Sequence, residues 1–201
     1  MAASETTTGV SKGGRGARER ILRAAVELFA RDGIHATGIA KLTDTAHVST
    51  RTFYQHFRSK DALVSAYLQR LESDGALLAE TVLERRDLSA RERVLALFAE
   101  LPADAHPATV RGCPFHNVAV EAAGTMPEAT ALVERHKREF AARVIETAAE
   151  AGTPEPEILG RQLVVLFEGA RALATSLNDT QPLQDAQALA ETLLDRAVET
   201  V

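Results

Sequence analysis

Apolar residues recur along this chain at intervals of three and four, with polar residues between them and Gly or Pro at the breaks. That spacing puts them on one face of successive α-helices, and no run alternates at the period of two that a half-buried strand needs. Near the start, Ile21, Leu22, Ala25, Leu28 and Phe29 form the inner side of a first helix, with Arg20, Arg23 and Glu27 outward and Gly33 as its stop. In a short second pattern Ile39, Ala40, Leu42 and Ala46 face inward while Lys41, Thr43 and Asp44 face outward, and Thr37 is placed to cap it. The segment Ala46-His47-Val48-Ser49 must turn the chain. Ser49 then offers a hydroxyl to the first amides of a third helix, Thr50 to Phe57, in which Phe53 and Phe57 point inward together.

Beyond Ser59-Lys60-Asp61, the stripe Val64, Leu68, Leu71, Gly75, Leu78 and Val82 predicts one long fourth helix. Ser89 and Glu92 have the spacing of a capping box, opening a helix with Val94, Leu95, Leu97, Phe98 and Leu101 inside. Pro102 and Pro107 bound an irregular stretch that leads to the run Arg111-Gly112-Cys113-Pro114-Phe115-His116-Asn117. Thr125 and Glu128 read as a second capping box, with Pro127 in the first turn of a long helix that Gly152 ends. The segment from Ile158 to Leu177 is apolar nearly all round, so it needs cover on two sides. One side is the chain's own core and the other is most simply a second copy, with Gly169, Ala170 and Ala174 permitting close approach and Phe140, Val144 and Phe167 beside them. Glu168 and Arg171 read as a local ion pair. A last helix runs from about Leu183 to Val198. The expected fold is therefore all-α.

Composition narrows the class without changing that picture. The 201 residues and 45% hydrophobic content suffice for a buried core, and the single cysteine excludes an internal disulfide. No stretch approaches 18 apolar residues and the first residues lack an apolar signal core, so a soluble, cytoplasmic protein without a membrane partner is expected. The net charge of −5 argues against a nucleic-acid partner until its distribution is read. Residues 1–60 hold ten Lys/Arg against five Asp/Glu, and the remainder holds 13 against 23. A basic head on an acidic body concentrates phosphate affinity at one end. The domain reading is a disordered basic tail over 1–14, a basic helical head over 15–60 and an acidic helical body over 61–201.

The third helix carries the chemistry. With both phenylalanines inside, Thr50, Arg51, Thr52, Tyr54, Gln55 and His56 occupy its other faces. Hydroxyls and a guanidinium reach base edges in a major groove, and a phenol or imidazole reaches phosphate. On composition alone a solvated polar face accounts for the same residues. Cys113 and His116, three apart, invite a catalytic or metal reading. A nucleophile needs an orienting third group and zinc needs two further ligands, and the spacing supplies neither. No enzyme activity, metal or cofactor is expected.

The run from Arg18 to Leu68 resembles the N-terminal DNA-binding domain of the TetR/AcrR family of transcriptional regulators over about a quarter of the chain. The resemblance rests on A-x-x-L-F-x-x-x-G ending at Gly33, Thr37, V-S-x-x-T-x-Y-x-H-F from Val48 to Phe57, and S-K-D-x-L from Ser59 to Leu63. Two positions depart from the usual pattern, His47 and Arg51, where the family commonly has glycine. The resemblance implies a helix-turn-helix reader that uses Thr37, Ser49, Thr50, Arg51, Thr52, Tyr54, His56 and Lys60, the last on a phosphate. It also implies a homodimer on palindromic double-stranded DNA and a small-molecule effector in the body, with repression as the default. The run from Arg111 to Asn117 is similar to a feature of one subgroup and makes Cys113, Phe115, His116 and Asn117 the candidate ligand residues. The competing reading is a dimeric DNA-binding protein with no effector.

Overall fold

The computed structural model describes residues 14–74, 77–99 and 112–199, without the side chains of 14, 15, 78, 198 and 199. The expected tail up to residue 13, the proline-bounded stretch and Arg111 lie outside the described residues, and Gly14, the last residue of that tail, already belongs to α1. Among the described residues ten α-helices follow in order: α1 Gly14–Asp32, α2 Ile39–Thr45, α3 Thr50–His56, α4 Lys60–Ser73, α5 Leu78–Thr81, α6 Ala90–Ala99, α7 Pro114–Glu121, α8 Pro127–Glu150, α9 Pro156–Leu177 and α10 Gln181–Glu199. A 3₁₀ turn, Val82–Glu84, continues α5, and no strand occurs among the described residues. The chain divides between Tyr67 and Leu68 into two compact units, so the division falls inside α4 rather than at its start.

In the first unit α1 supplies the floor. Ile21, Ala25, Leu28 and Phe29 are buried there with Leu42, Phe53, Phe57 and Leu63, and the Phe29 ring meets Tyr67 edge-on at 5.3 Å. Gly33, at φ 84°, stops α1 because only glycine takes that backbone without strain. Two sequence expectations fail at α2. Its N-cap is Gly38, not Thr37, and no side chain caps it. Thr43 turns inward, 6% exposed, with its hydroxyl on the Ala40 carbonyl at 2.9 Å, while Ala40 lies at the surface. A threonine that satisfies its hydroxyl on its own helix sits inside without leaving an orphaned polar group.

The long fourth helix also fails as drawn. α4 ends at Ser73, whose hydroxyl returns to the Arg70 carbonyl at 2.9 Å, and α5 begins afresh at Leu78. Of the stripe, Val64, Leu68 and Leu71 lie on α4, Leu78 on α5 and Val82 on the 3₁₀ turn, while Gly75 is outside the described residues.

In the second unit α6, α8, α9 and α10 enclose one core. Val94, Leu97 and Phe98 of α6 meet Phe140, Val144 and Ala148 of α8 and Leu163, Phe167 and Ala174 of α9, with Leu183, Ala190 and Leu194 of α10 closing it. The Phe167 ring touches those of Phe98 and Phe140 at 5.8 and 5.0 Å. α8 and α9 cross closely at Gly160, where a Cβ would fall 2.8 Å from the Ile145 Cα. The capping box at α6 forms in both directions, Ser89 N–H to Glu92 Oε2 at 2.8 Å and Glu92 N–H to Ser89 Oγ at 3.2 Å. The second box does not form. Thr125 lies one residue too early, donating its hydroxyl to the Ala122 carbonyl, and Met126 occupies the N-cap before Pro127.

The expected interface set requires the largest correction. Phe140, Val144, Phe167 and Ala174 are 0% exposed within one chain, and Ala170 is 5%. They have no area left for a partner. Gly169 alone of that set is at the surface, with nothing of its own chain within 4 Å of where a Cβ would stand. Glu168 does not pair with Arg171 but with Lys137 of α8 at 2.5 Å, and the Arg171 guanidinium lies over the Phe167 ring.

Candidate functional site

The turn between α2 and α3 is built from the backbone. Val48 N–H reaches the Thr43 carbonyl and His47 N–H the Asp44 carbonyl, both at 3.0 Å, which is the two-bond closure of a Schellman motif. The motif needs a left-handed residue, and His47 supplies it at φ 51°. Histidine tolerates that region better than a β-branched side chain does. The Arg20 Nε–H donates to the Ala46 carbonyl at 3.1 Å, fastening the turn to α1. Ser49 then caps α3, its Oγ accepting from Thr52 N–H at 3.0 Å and sharing a 2.8 Å hydrogen bond with the Thr52 hydroxyl.

This closure fixes the face that α3 presents. Phe53 and Phe57 are 0% and 3% exposed, so the helix cannot roll. Thr50, Arg51, Tyr54 and Gln55 are exposed, Tyr54 at 52%, while Thr52 and His56 are half-buried. Ser49 and Thr52 have engaged their hydroxyls with each other, so their geometry serves the cap first. Arg18 and Arg20 serve the scaffold, Arg18 with its guanidinium 5.2 Å from the centre of the Phe57 ring. Helical periodicity alone does not reveal either role.

Two of the candidate DNA-contacting residues are held by the backbone of the head, Thr37 against expectation and Lys60 at the helix start where it was expected. Thr37 is 0% exposed and donates its hydroxyl to the Gly33 carbonyl at 2.7 Å, which holds the α1–α2 loop and keeps the side chain from any phosphate. Lys60 is half-buried and donates to the Ile34 carbonyl at 2.5 Å. Nor is the head's positive charge all presented. Arg31 and Lys41 both bind Asp32, and their hydrogen bonds, Arg31's first, hold its carboxyl below the usual range. Arg51 and Arg58 are exposed on and just after α3.

In the second unit a cavity of about 600 Å³ is lined by Glu72, Leu77, Glu80, Thr81, Glu84, His136, Glu139, Ala142 and Arg143. None of the four candidate ligand residues lines it. Cys113 is 2% exposed at the N-cap of α7, with the Lys137 ammonium 3.5 Å from its sulfur. Burial alone lowers the Lys137 ammonium, but attraction to Cys113, Glu168 and Glu80 outweighs it and holds the group above its ordinary value. His116 is exposed and Asn117 half-buried. Phe115, 0% exposed, acts from behind: its ring stacks on His136 at 3.8 Å. Nothing in the sequence joins His136 and Arg143 to Glu72 and Glu80, because residues some sixty positions apart carry no joint signal.

Among the described residues no group of three or more His, Cys, Asp or Glu side chains is disposed to hold a metal ion, and no helix is long and apolar enough to cross a membrane.

Comparison with known proteins agrees with this geometry. Residues 21–67 match the family described as bacterial regulatory proteins, tetR family, and residues 90–190 match the tetracyclin repressor-like C-terminal domain. The crystal structure of a TetR transcriptional regulator of Streptomyces avermitilis superposes with a TM-score of 0.78 at 31% identity, over 90% of this chain and 97% of that one. The transcriptional repressor NemR of Escherichia coli is 26% identical over 180 residues, which are 85% of this chain and 90% of NemR. The transcriptional activator FasR of Mycolicibacterium smegmatis is 47% identical over 53 residues, 26% of this chain and 24% of FasR. A helix-turn-helix with a fixed polar face, a helical second unit and matches across both units have one reading: the chain belongs to the TetR family of DNA-binding transcriptional regulators.

Proposed function

We propose that this regulator is a cytoplasmic homodimeric repressor that leaves a palindromic operator when a small molecule occupies the second unit. The observation that carries the dimer is the open side of α9. Val165, Leu173 and Leu177 are 72%, 55% and 63% exposed, and Gly169 lies between them on the same i, i+4 row. Leu189 of α10 adds a further exposed apolar residue at 49%. A row of large apolar side chains at that exposure favours a partner surface over water. Two copies of α3 reach successive major-groove faces when they stand about 34 Å apart, so the favoured DNA is an inverted repeat.

On this reading Arg51, Thr50 and Tyr54 read or grip the DNA, and Lys60 adds a phosphate contact from the start of α4. Repression is supported by NemR, the repressor that matches along most of its length, whereas the activator FasR matches only the head. The cavity favours an effector over the ligand-independent alternative, since its volume suits a metabolite-sized molecule. The effector acts by favouring a spacing of the two heads that DNA does not accept. Selection of bound sites from a random duplex pool tests the core of this reading. Inverted repeats are expected, and enrichment of single, unpaired sites by a monomeric protein would refute it.

A further inference from the structure

We infer that the cavity of the second unit takes an organic monocation bearing N–H donors, an amine or amidine, anchored on the carboxylate of Glu80. The inference rests on the reading of that unit as an effector site and assigns the effector's chemistry.

Glu80 is 2% exposed, yet only half of its carboxylate is used. Oε2 accepts from the Arg143 Nη2 at 3.1 Å, whereas Oε1 accepts no hydrogen bond among the described residues. His136 Nε2 stands 3.4 Å from that oxygen, out of line for a bond, and is likewise without a partner. The other imidazole nitrogen, Nδ1, lies 3.2 Å from Glu72 Oε1. When Nδ1 carries the hydrogen toward Glu72, Nε2 is a lone pair, and two buried acceptors, both on residues that line the cavity, stand side by side. The ring does not rotate away, because Phe115 is stacked on it. A buried acceptor pair of this kind is costly alone and is relieved by a group that brings N–H donors and positive charge.

The surrounding charge points the same way. The lining holds four carboxylates, Glu72, Glu80, Glu84 and Glu139, against the single guanidinium of Arg143. Arg143 is committed to Glu80 and Glu84 through its Nη atoms, and its Nε, without an acceptor, fits a hydroxyl or carbonyl elsewhere on the same ligand. Arg135 bridges Glu72 and Glu139 from the surface at 3.5 and 3.6 Å, so negative charge still exceeds positive. Leu77 and Ala142 give an apolar patch for the body of the ligand. An anion would meet like charge and would leave Glu80 Oε1 unpaired.

Calorimetric titration of the full chain, without DNA, tests this with two isosteric sets: tryptammonium, tryptophol and 3-indolepropionate, then benzamidinium, benzamide and benzoate. At least one of the two cations is expected to bind at one site per chain, about tenfold or more tighter than its neutral and anionic counterparts. Glu80→Gln brings that cation to the level of its neutral isostere. Because Glu80 also holds Arg143, the exposed Glu84→Gln and Glu139→Gln variants provide a second test, each weakening the cation severalfold and leaving the neutral isostere unchanged. Binding of neither cation at millimolar concentration, equal or tighter binding of the anions, or full cation affinity in a folded Glu80→Gln protein overturns the inference. A gel-shift titration separates it from the broader reading. A cation that binds without releasing DNA leaves the site assigned and removes its effector role, whereas loss of cation binding with DNA binding intact removes only the assignment.

Discussion

Replacing Gly160 by alanine sets two opposed effects against each other in α9. Alanine is the better helix former by about 1 kcal/mol, so an unobstructed site would gain stability. This site is obstructed. The added Cβ would lie 2.5 Å from Ile145 Cγ1 and 2.8 Å from Ile145 Cα. Carbon atoms pack best at about 3.5–4.0 Å, so the shorter contact calls for a side-chain rotation and the longer one for a backbone shift of roughly 0.7 Å. The backbone shift is the costly one. α8 and α9 share the buried Phe140, Val144, Phe167 and Ala170, and parting the helices loosens all of them. Overpacking of this kind costs about 1–3 kcal/mol, and with backbone as the obstacle the upper part of that range applies. After the propensity gain, a net loss of about 1–2 kcal/mol remains.

Urea unfolding followed by circular dichroism, at matched protein concentration, reads this loss as a midpoint lower by about 0.5–1 M with an unchanged slope. A thermodynamic cycle with Ile145→Ala sharpens the test. Trimming Ile145 removes the Cγ1 clash and leaves the Cα clash, so the double variant recovers part of the loss and not all of it. A Gly160→Ala protein as stable as its parent, or more so, would refute the close crossing of α8 and α9.

Three other perturbations have definite outcomes. Arg51→Ala should change which bases a selected DNA pool prefers, whereas Lys60→Ala should weaken all sequences alike, flatten the salt dependence and lower the stability of the head through loss of the Ile34 bond; comparison of selected sites and urea midpoints checks both. Leu173→Glu, on the open side of α9, should convert the proposed dimer to monomer in sedimentation and weaken binding to inverted repeats, with little change in helix content. Glu150 accepts first from the buried Arg93 and then from Arg86, which together hold its carboxyl below the usual range. Its contribution is therefore complete at neutral pH and is lost as pH falls below about 4, so the stability difference between parent and Glu150→Gln should vanish in acid; a difference that grows in acid would reverse the assignment.

Local chemistry was legible in the sequence at several places where one short segment contained all that was needed. Ser89 and Glu92 are three residues apart and cap each other; Gly33 and Gly152 take positive φ at helix ends; Pro127 opens α8. The turn over Ala46 to Ser49 was placed correctly, and the structure closes it as a Schellman motif with His47 left-handed. The errors at Thr37, Thr43 and Thr125 share a cause. A threonine hydroxyl satisfies itself on a carbonyl three or four residues back as readily as it caps an amide ahead, and the choice is set by what the neighbouring helix covers.

By itself, then, the sequence determined an all-helical chain, a basic head and a third helix with two phenylalanines on one side and Arg51 and Tyr54 on another, because helical period and charge are properties of neighbouring residues. The tertiary structure decided which apolar face of α9 stays open and which side chains share a cavity. Phe167 and Val165 are equally apolar in sequence, yet one is 0% and the other 72% exposed, because only the packing of α6, α8 and α10 chooses between the two sides of the helix. Glu80 and His136 likewise became one site only when α5 and α8 came together, since a pairing between residues so far apart in the chain has no local energy to mark it.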